Sequence, residues 1–267
     1  MRIALGQLLS THDSQHNLER VRELARRAGE DRADLLVLPE ATMFAFGRSL
    51  KDVAEPLDGP WATAVSELAR EHSVAIVAGM FTPGDGDRVR NTAVIALPDG
   101  TVRGYAKIHL YDAFGFLESD TVDPGDEPVT FSAGGLTVGV ATCYDIRFPR
   151  LFTRLAHDGA VVTVLGASWG DGPGKVAQWE LLARARALDT TSYVVAVGQA
   201  NPESVGEENP DKAPRGVGHS LVAAPDGSVV ARLGDAPDYT VVDLDLDPEL
   251  VERTRKAIPV LRNAREL

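Results

Sequence analysis

A continuous apolar run, Leu35-Leu36-Val37-Leu38, is bounded by Asp34 and Pro39 and lies between two segments of helical period. A strand without polar alternation has no face to give to water, so it belongs in a sheet covered on both sides. Before it, Arg2–Leu8 reads as a strand. Ser14–Ala28 then carries Leu18, Val21, Leu24, Ala25 and Ala28 at helical spacing, with Asp13 or Ser14 as the N-cap. After it, Pro60–His72 reads as a helix and Val74–Met80 as a second buried strand. This βαβα order requires a parallel or mixed sheet with crossover helices.

The later part of the chain repeats the order. Leu136–Thr142, Ala160–Leu165 and Tyr193–Gly198 read as strands, separated by helices over Phe148–His157 and Val176–Asp189. Ala93–Val102 and Ser220–Val229 each read as strand, Pro-Asp-Gly turn, strand. In such a turn Pro fixes φ, Asp bonds its own backbone and Gly accepts positive φ. Two halves of like order predict an α/β fold of two sheets packed face to face with helices outside. The Pro- and Gly-rich stretches Pro83–Asp87, Asp123–Pro128, Gly170–Gly174 and Asn201–Gly218 have the length of loops, so residues 1–267 read as a single domain. A short helix beginning near Pro248 leads into a tail, about 256–267, whose Ile258, Val260 and Leu261 would be wet on an isolated terminus. We expect that tail to dock on a partner subunit.

Composition excludes several functions. Lys plus Arg number 27 against 39 Asp plus Glu, a net charge of −12, which disfavours nucleic acid and anionic membrane as partners. No run approaches the roughly 20 apolar residues of a membrane span. The start, Met1–Leu8, has neither the apolar length nor the cleavage site of a signal peptide, so a cytoplasmic protein is expected. One cysteine, Cys143, allows no internal disulfide, no C-x-x-C redox pair and no multi-cysteine zinc site. The six histidines show no metal-ligand spacing and no glycine-rich phosphate cradle is present, so neither a metal nor a cofactor is expected.

Four residues attract chemical interest, and each has a plain structural alternative. Glu40 follows a buried strand, where it would be a partly desolvated general base, a helix N-cap or a solvated loop acid. Lys107, among apolar neighbours in Tyr105-Ala106-Lys107-Ile108-His109-Leu110, is an edge-strand gatekeeper or a buried cation. Glu118 lies in the loop Phe114–Asp120, as a desolvated or a surface acid. Cys143 ends a strand in Gly139–Pro149, as an inert small hydrophobe or an activated thiol, with Arg147 and Lys107 the candidate activating cations.

Together these segments say more. Leu38-Pro39-Glu40, Lys107-Ile108-His109-Leu110, Glu118-Ser119-Asp120 and Cys143-Tyr144-Asp145-Ile146-Arg147-Phe148 occur in an order that resembles the carbon–nitrogen hydrolase (nitrilase) superfamily. Trp179–Ala187, Gly218-His219-Ser220 and Ile258-Pro259-Val260-Leu261-Arg262 extend the resemblance over nearly the whole chain, the last toward the omega-amidase branch. The resemblance implies an α-β-β-α sandwich of two mixed sheets and a homodimer or higher homo-oligomer. It also implies a catalytic set in which Glu40 is the base, Lys107 the oxyanion cation, Cys143 the nucleophile and Glu118 a second glutamate that positions substrate and lysine. The backbone N–H of Tyr144 would share the oxyanion. The implied reaction is hydrolysis of a small amide by water through a Cys thioester, releasing ammonia.

Arg147 is a candidate partner for a substrate carboxylate, or else a structural ion-pair partner of Asp145 or of an acid at a helix start. Trp169, in Gly166–Gly172, and Lys175 depart from the omega-amidase pattern and would reshape the pocket. Nitrilase, carbamoylase or deaminated-peptide amidase chemistry therefore stands as the alternative. More distant readings are a Cys–His hydrolase using His109 or His219, and a non-catalytic binding or assembly relative.

Overall fold

The computed structural model describes residues 1–113, 115–209, 213–244 and 248–265. Phe114, residues 210–212 of the Asn201–Gly218 loop and the tail residues Glu266 and Leu267 lie outside the described residues. The first half runs β1 (Arg2–Gln7), α1 (Ser14–Glu30), β2 (Leu35–Val37), α2 (Pro60–Glu71), β3 (Ala75–Pro83), β4 (Val89–Ala96) and β5 (Val102–Ala106). A small hairpin, β6 (Asp112–Ala113) and β7 (Phe116–Leu117), crosses to the second half. That half runs β8 (Val129–Ala133), β9 (Leu136–Thr142), α3 (Pro149–His157), β10 (Val162–Ala167), α4 (Lys175–Thr190), β11 (Tyr193–Gly198), β12 (Leu221–Ala223) and β13 (Val229–Arg232). The chain then returns through β14 (Asp238–Asp243), α5 (Pro248–Ala257) and α6 (Val260–Asn263).

Two six-stranded mixed sheets result, ordered β14-β1-β2-β3-β4-β5 and β13-β12-β11-β10-β9-β8. In each the three central α/β strands are parallel, β1-β2-β3 and β9-β10-β11, and the remaining pairings are antiparallel. The expected face-to-face sheets with outer helices are present, and both Pro-Asp-Gly turns close antiparallel pairs. Element ends move by a residue or two. The helix expected to stop at Ala28 reaches Glu30, and the strand expected over Ala160–Leu165 runs Val162–Ala167, because Ala160 and Val161 belong to its entry turn. Of the two N-cap candidates it is Asp13 that caps α1, accepting from the Gln15 and His16 amides at 3.0 and 3.1 Å.

The apolar runs divide by parity, as the pleat demands. Ile3, Leu5, Leu35, Val37, Ala75 and Val77 join Val138, Val140, Val162 and Val164 in one buried cluster that links the two sheets. The alternate residues Ala4, Leu36, Leu38, Ile76, Ala78 and Met80 pack with Val21 and Ala25 of α1 and Trp61, Val65 and Leu68 of α2. An unbroken run is thus two half-strands, each with its own partner layer. At roughly 1.5–3 kcal/mol per fully buried aliphatic side chain, both interfaces draw on the same short strands through alternate residues.

The tail folds back on its own chain, with α6 against α3 and α4, while Ile258 remains 54% exposed.

Candidate active site

The carboxyl ends of β2, β5, β9 and β10 converge, and each delivers one polar group. Glu40 leaves β2 through Pro39 into a loop that passes very close to two neighbouring strands. A Cβ on Gly79 would lie 2.7 Å from the Glu40 Cα, and one on Gly166 would lie 2.9 Å from the Glu40 nitrogen. Glycine at those two positions lets the loop sit down on β3 and β10. The Glu40 carboxylate is consequently buried, 2% exposed. Its Oε1 accepts from Lys107 Nζ at 3.0 Å and Asn91 Nδ2 at 2.7 Å, and its Oε2 from the Ser168 amide at 2.8 Å. Gln199 Nε2 holds the Glu40 carbonyl at 2.9 Å.

Lys107 follows β5 and is also 2% exposed, so it is a buried cation and no edge-strand gatekeeper. Its Nζ donates to Glu40, and to Glu118 at 2.8 and 3.1 Å. Glu118 opens a short 3-10 turn, Glu118–Asp120, with its carboxylate turned inward to accept from the Tyr111 amide at 2.6 Å. Burial opposes charge on the Lys107 ammonium. Glu40, Glu118 and the nearby Cys143 outweigh that effect and hold it well above the ordinary lysine value.

Cys143 ends β9 with φ +45°, a left-handed conformation that a non-glycine residue adopts at a cost of order 1–3 kcal/mol. The next turn supplies the restraint. Cys143–Arg147 form a 3-10 segment capped by Thr142 and Asp145, each side chain bonding the other's backbone N–H. Asp145 is fully buried and accepts four bonds: from the Thr142 amide (2.8 Å), the His109 amide (3.0 Å), His109 Nδ1 (2.7 Å) and the Tyr105 hydroxyl (2.6 Å). Tyr144 N–H falls in the first turn of this segment, where a helical ladder provides no acceptor. Burial first, then the Glu40 carboxylate, push the Cys143 thiol well above the ordinary cysteine value, with Lys107 acting against them. The thiol lies beside the Glu40 carboxylate, and both burial and that carboxylate disfavour its ionised form.

Aromatic and cationic groups surround this centre. Tyr144 stands edge-on to Tyr111 and Phe148, with ring centroids at 5.1 and 5.3 Å. Arg147 lies 5.1 Å from the Trp169 ring and donates to Gln178 Oε1 at 2.9 Å. It forms no ion pair with Asp145, whose oxygens are taken up elsewhere, so that structural alternative is corrected. Lys175 Nζ lies 5.8 Å from the same Trp169 ring. Burial and then Arg147 draw it below the ordinary lysine value, so two cations share one wall. His109 is engaged by Asp145 and stacks on Phe148 at 3.8 Å, and the His219 carbonyl accepts from Trp179 Nε1. Among the described residues no group of His, Cys, Asp and Glu could hold a metal ion, and no helix is long and apolar enough to cross a membrane.

The structure thus brings Glu40, Lys107, Glu118 and Cys143 together, with Tyr144, Arg147 and Trp169 around them. Sequence reasoning missed Asn91 and Ser168, and it considered Asp145 only as a partner for Arg147. Asn91 stands between Arg90 and Thr92 at the polar start of β4, which gave no local signal for it. Ser168 acts through its backbone and left no side-chain signature.

A profile of the carbon-nitrogen hydrolase family matches residues 2–256. Hydrolase Rv0480c of Mycobacterium tuberculosis is 51% identical over 98% of this chain and 95% of its own length. The deaminated glutathione amidase of Escherichia coli O157:H7 is 33% identical, with 99% and 97% covered. Omega-amidase NIT2 of Xenopus tropicalis is 32% identical, with 99% and 95% covered. Among solved structures, a variant of the Nesterenkonia sp. AN1 amidase carrying acrylamide on its active-site cysteine superposes with a TM-score of 0.79. It is 29% identical, with 95% and 99% of the two chains covered. The chain belongs to the carbon-nitrogen hydrolase family and is a hydrolase of non-peptide carbon–nitrogen bonds.

Proposed function

We propose that the protein hydrolyses the amide of a small carboxylate-bearing molecule through a thioester on Cys143. The observation that carries this reading is one buried ammonium held by two buried carboxylates beside a strained thiol at a strand end. Glu40 takes the proton from Cys143 as Sγ attacks the amide carbon. Lys107 Nζ and the Tyr144 N–H receive the developing oxyanion, each such donor being worth about 3–4 kcal/mol in comparable sites. The tetrahedral adduct collapses by breaking its C–N bond, and Glu40 returns the proton to nitrogen, releasing ammonia. Water then attacks the thioester carbon and gives a proton to Glu40. The C–S bond breaks, the acid leaves, and the thiol recovers its proton. Glu118 keeps Lys107 charged and in place.

Arg147, against Trp169, is the partner for the substrate carboxylate. Lys175 on the same wall favours a second reading, a longer amide with two carboxylates, as in the deaminated glutathione that the Escherichia coli relative's name specifies. Succinamate should release ammonia and deaminated glutathione a peptide with a free amine, each with its matching acid, and the higher kcat/KM selects between the readings. Cys143→Ala should abolish release, and mass spectrometry of quenched wild type should find an acyl group on Cys143. Full turnover by Cys143→Ala would overturn the proposal. A reactive single thiol suits a reducing compartment, so we place the reaction in the cytoplasm. The exposed Ile258 supports a homodimer in which the tail meets its partner. An unchanged hydrodynamic size after removal of the residues beyond Arg255 would count against it.

A further inference from the structure

Among the described residues, Asn91 is the one side chain that bonds both glutamates without carrying charge. It sits on β4 with Ala93 and Ile95 on the face turned to the opposite sheet, 1% exposed. Its Nδ2 donates to Glu40 Oε1 at 2.7 Å and to Glu118 Oε1 at 3.1 Å, two of the three oxygens that Lys107 Nζ contacts. Two donors and two acceptors therefore alternate around a closed ring. The Asn91 backbone carbonyl also accepts from the Lys107 backbone amide at 2.8 Å, so this residue touches all three partners of the cluster. The amide's orientation is set by chemistry, since its reversal would point an acceptor at two carboxylates. The Asn91 Oδ1 is buried without a partner among the described residues. A residue kept only for packing would not leave an orphaned acceptor in the core, where an apolar side chain of similar size would serve better.

We propose that Asn91 is a positioning residue that ties the Glu40 and Glu118 carboxylates into one unit around Lys107 and tempers the negative charge they present to the Cys143 thiol. This rests on the thioester reading above. Two carboxylates against one ammonium leave an excess negative charge next to the sulfur, and both glutamates disfavour the thiolate. Two N–H dipoles on those carboxylates oppose that effect without adding a second cation that would compete with substrate.

The test uses the only cysteine of the chain. The rate of alkylation by iodoacetamide, followed against pH, reports Cys143 ionisation with no substrate present. Asn91→Leu removes both donors. Asn91→Asp keeps the shape and removes at least one. Both variants should move the alkylation midpoint upward by about one pH unit. Both should also lower kcat on succinamate about tenfold or more, with KM within about twofold of wild type. A variant with native circular dichroism whose midpoint stays within about 0.3 unit of wild type overturns the proposal, even if its kcat falls. Should Asn91→Leu fail to fold, Asn91→Asp alone decides by the same criterion. Loss of the thioester reading shows separately, as turnover surviving in Cys143→Ala, while the alkylation profile still reports on Asn91.

Discussion

Replacing Lys107 by Met would remove the single cation between two buried carboxylates while keeping the length of an unbranched chain. The structure sets the scale. Three N–H···O contacts of 2.8–3.1 Å vanish, and Glu40 and Glu118, both under 5% exposed, face each other without a counter-charge. Removing one partner of a buried ion pair costs about 3–5 kcal/mol. For a domain of this size that is a drop in Tm of roughly 6–15 °C. The pH dependence has a definite sign. The Lys107 value is raised on folding, so its contribution is complete below the ordinary lysine value of about 10.4 and is lost only as pH rises through the higher folded value. Urea unfolding by circular dichroism should therefore give a difference between wild type and K107M that is constant from about pH 7 to 10. If Lys107 donates to the oxyanion as proposed above, its loss should also lower kcat at least 10²-fold. A K107M protein within about 1 kcal/mol of wild type at pH 7 would refute the account of a cation that the two glutamates require. So would a difference that disappears between pH 8 and 10.

Two further substitutions test the scaffold. Asp145→Asn keeps one acceptor oxygen for four donors, so at least one buried N–H is orphaned. We expect a loss of about 2–4 kcal/mol by urea unfolding, and faster iodoacetamide alkylation as the loosened turn exposes Cys143. Native stability with native alkylation would show that the turn holds without Asp145. Gly79→Ala places a Cβ against the Glu40 loop. It should cost about 1–3 kcal/mol in a thermal melt and lower kcat by about 10²-fold, and an unaffected kcat would mean that the loop has room to move.

What the sequence revealed follows the range of the interactions involved. Tyr193–Gly198 and Leu136–Thr142 are strands over the expected residues because their apolar character is local. The edge strand β14 escaped notice. Asp-Tyr-Thr-Val-Val-Asp is half exposed and becomes a strand by pairing with β1, more than 200 residues away. The same holds at the site. Glu40, Lys107, Glu118 and Cys143 were recognisable from their order along the chain. No local pattern announces that Asn91 reaches Glu40 across 51 positions or that the Ser168 amide reaches it across 128. Arg147 carried two possible partners in sequence, and only the packing of Asp145 against Tyr105 and His109 removed one of them.

The site is shared between the two sheets, with Glu40, Asn91 and Lys107 on the first and Cys143 and Ser168 on the second. During synthesis from the N-terminus Glu40 and Lys107 therefore emerge before the sulfur does. A nascent chain that has completed only its first sheet carries no thiol, and a released second half would carry a thiol with neither Glu40 nor Lys107 beside it. Burial of that thiol beside Glu40 waits until the halves close on each other, so the slowing of Cys143 alkylation during refolding is a clock for the docking of one sheet on the other.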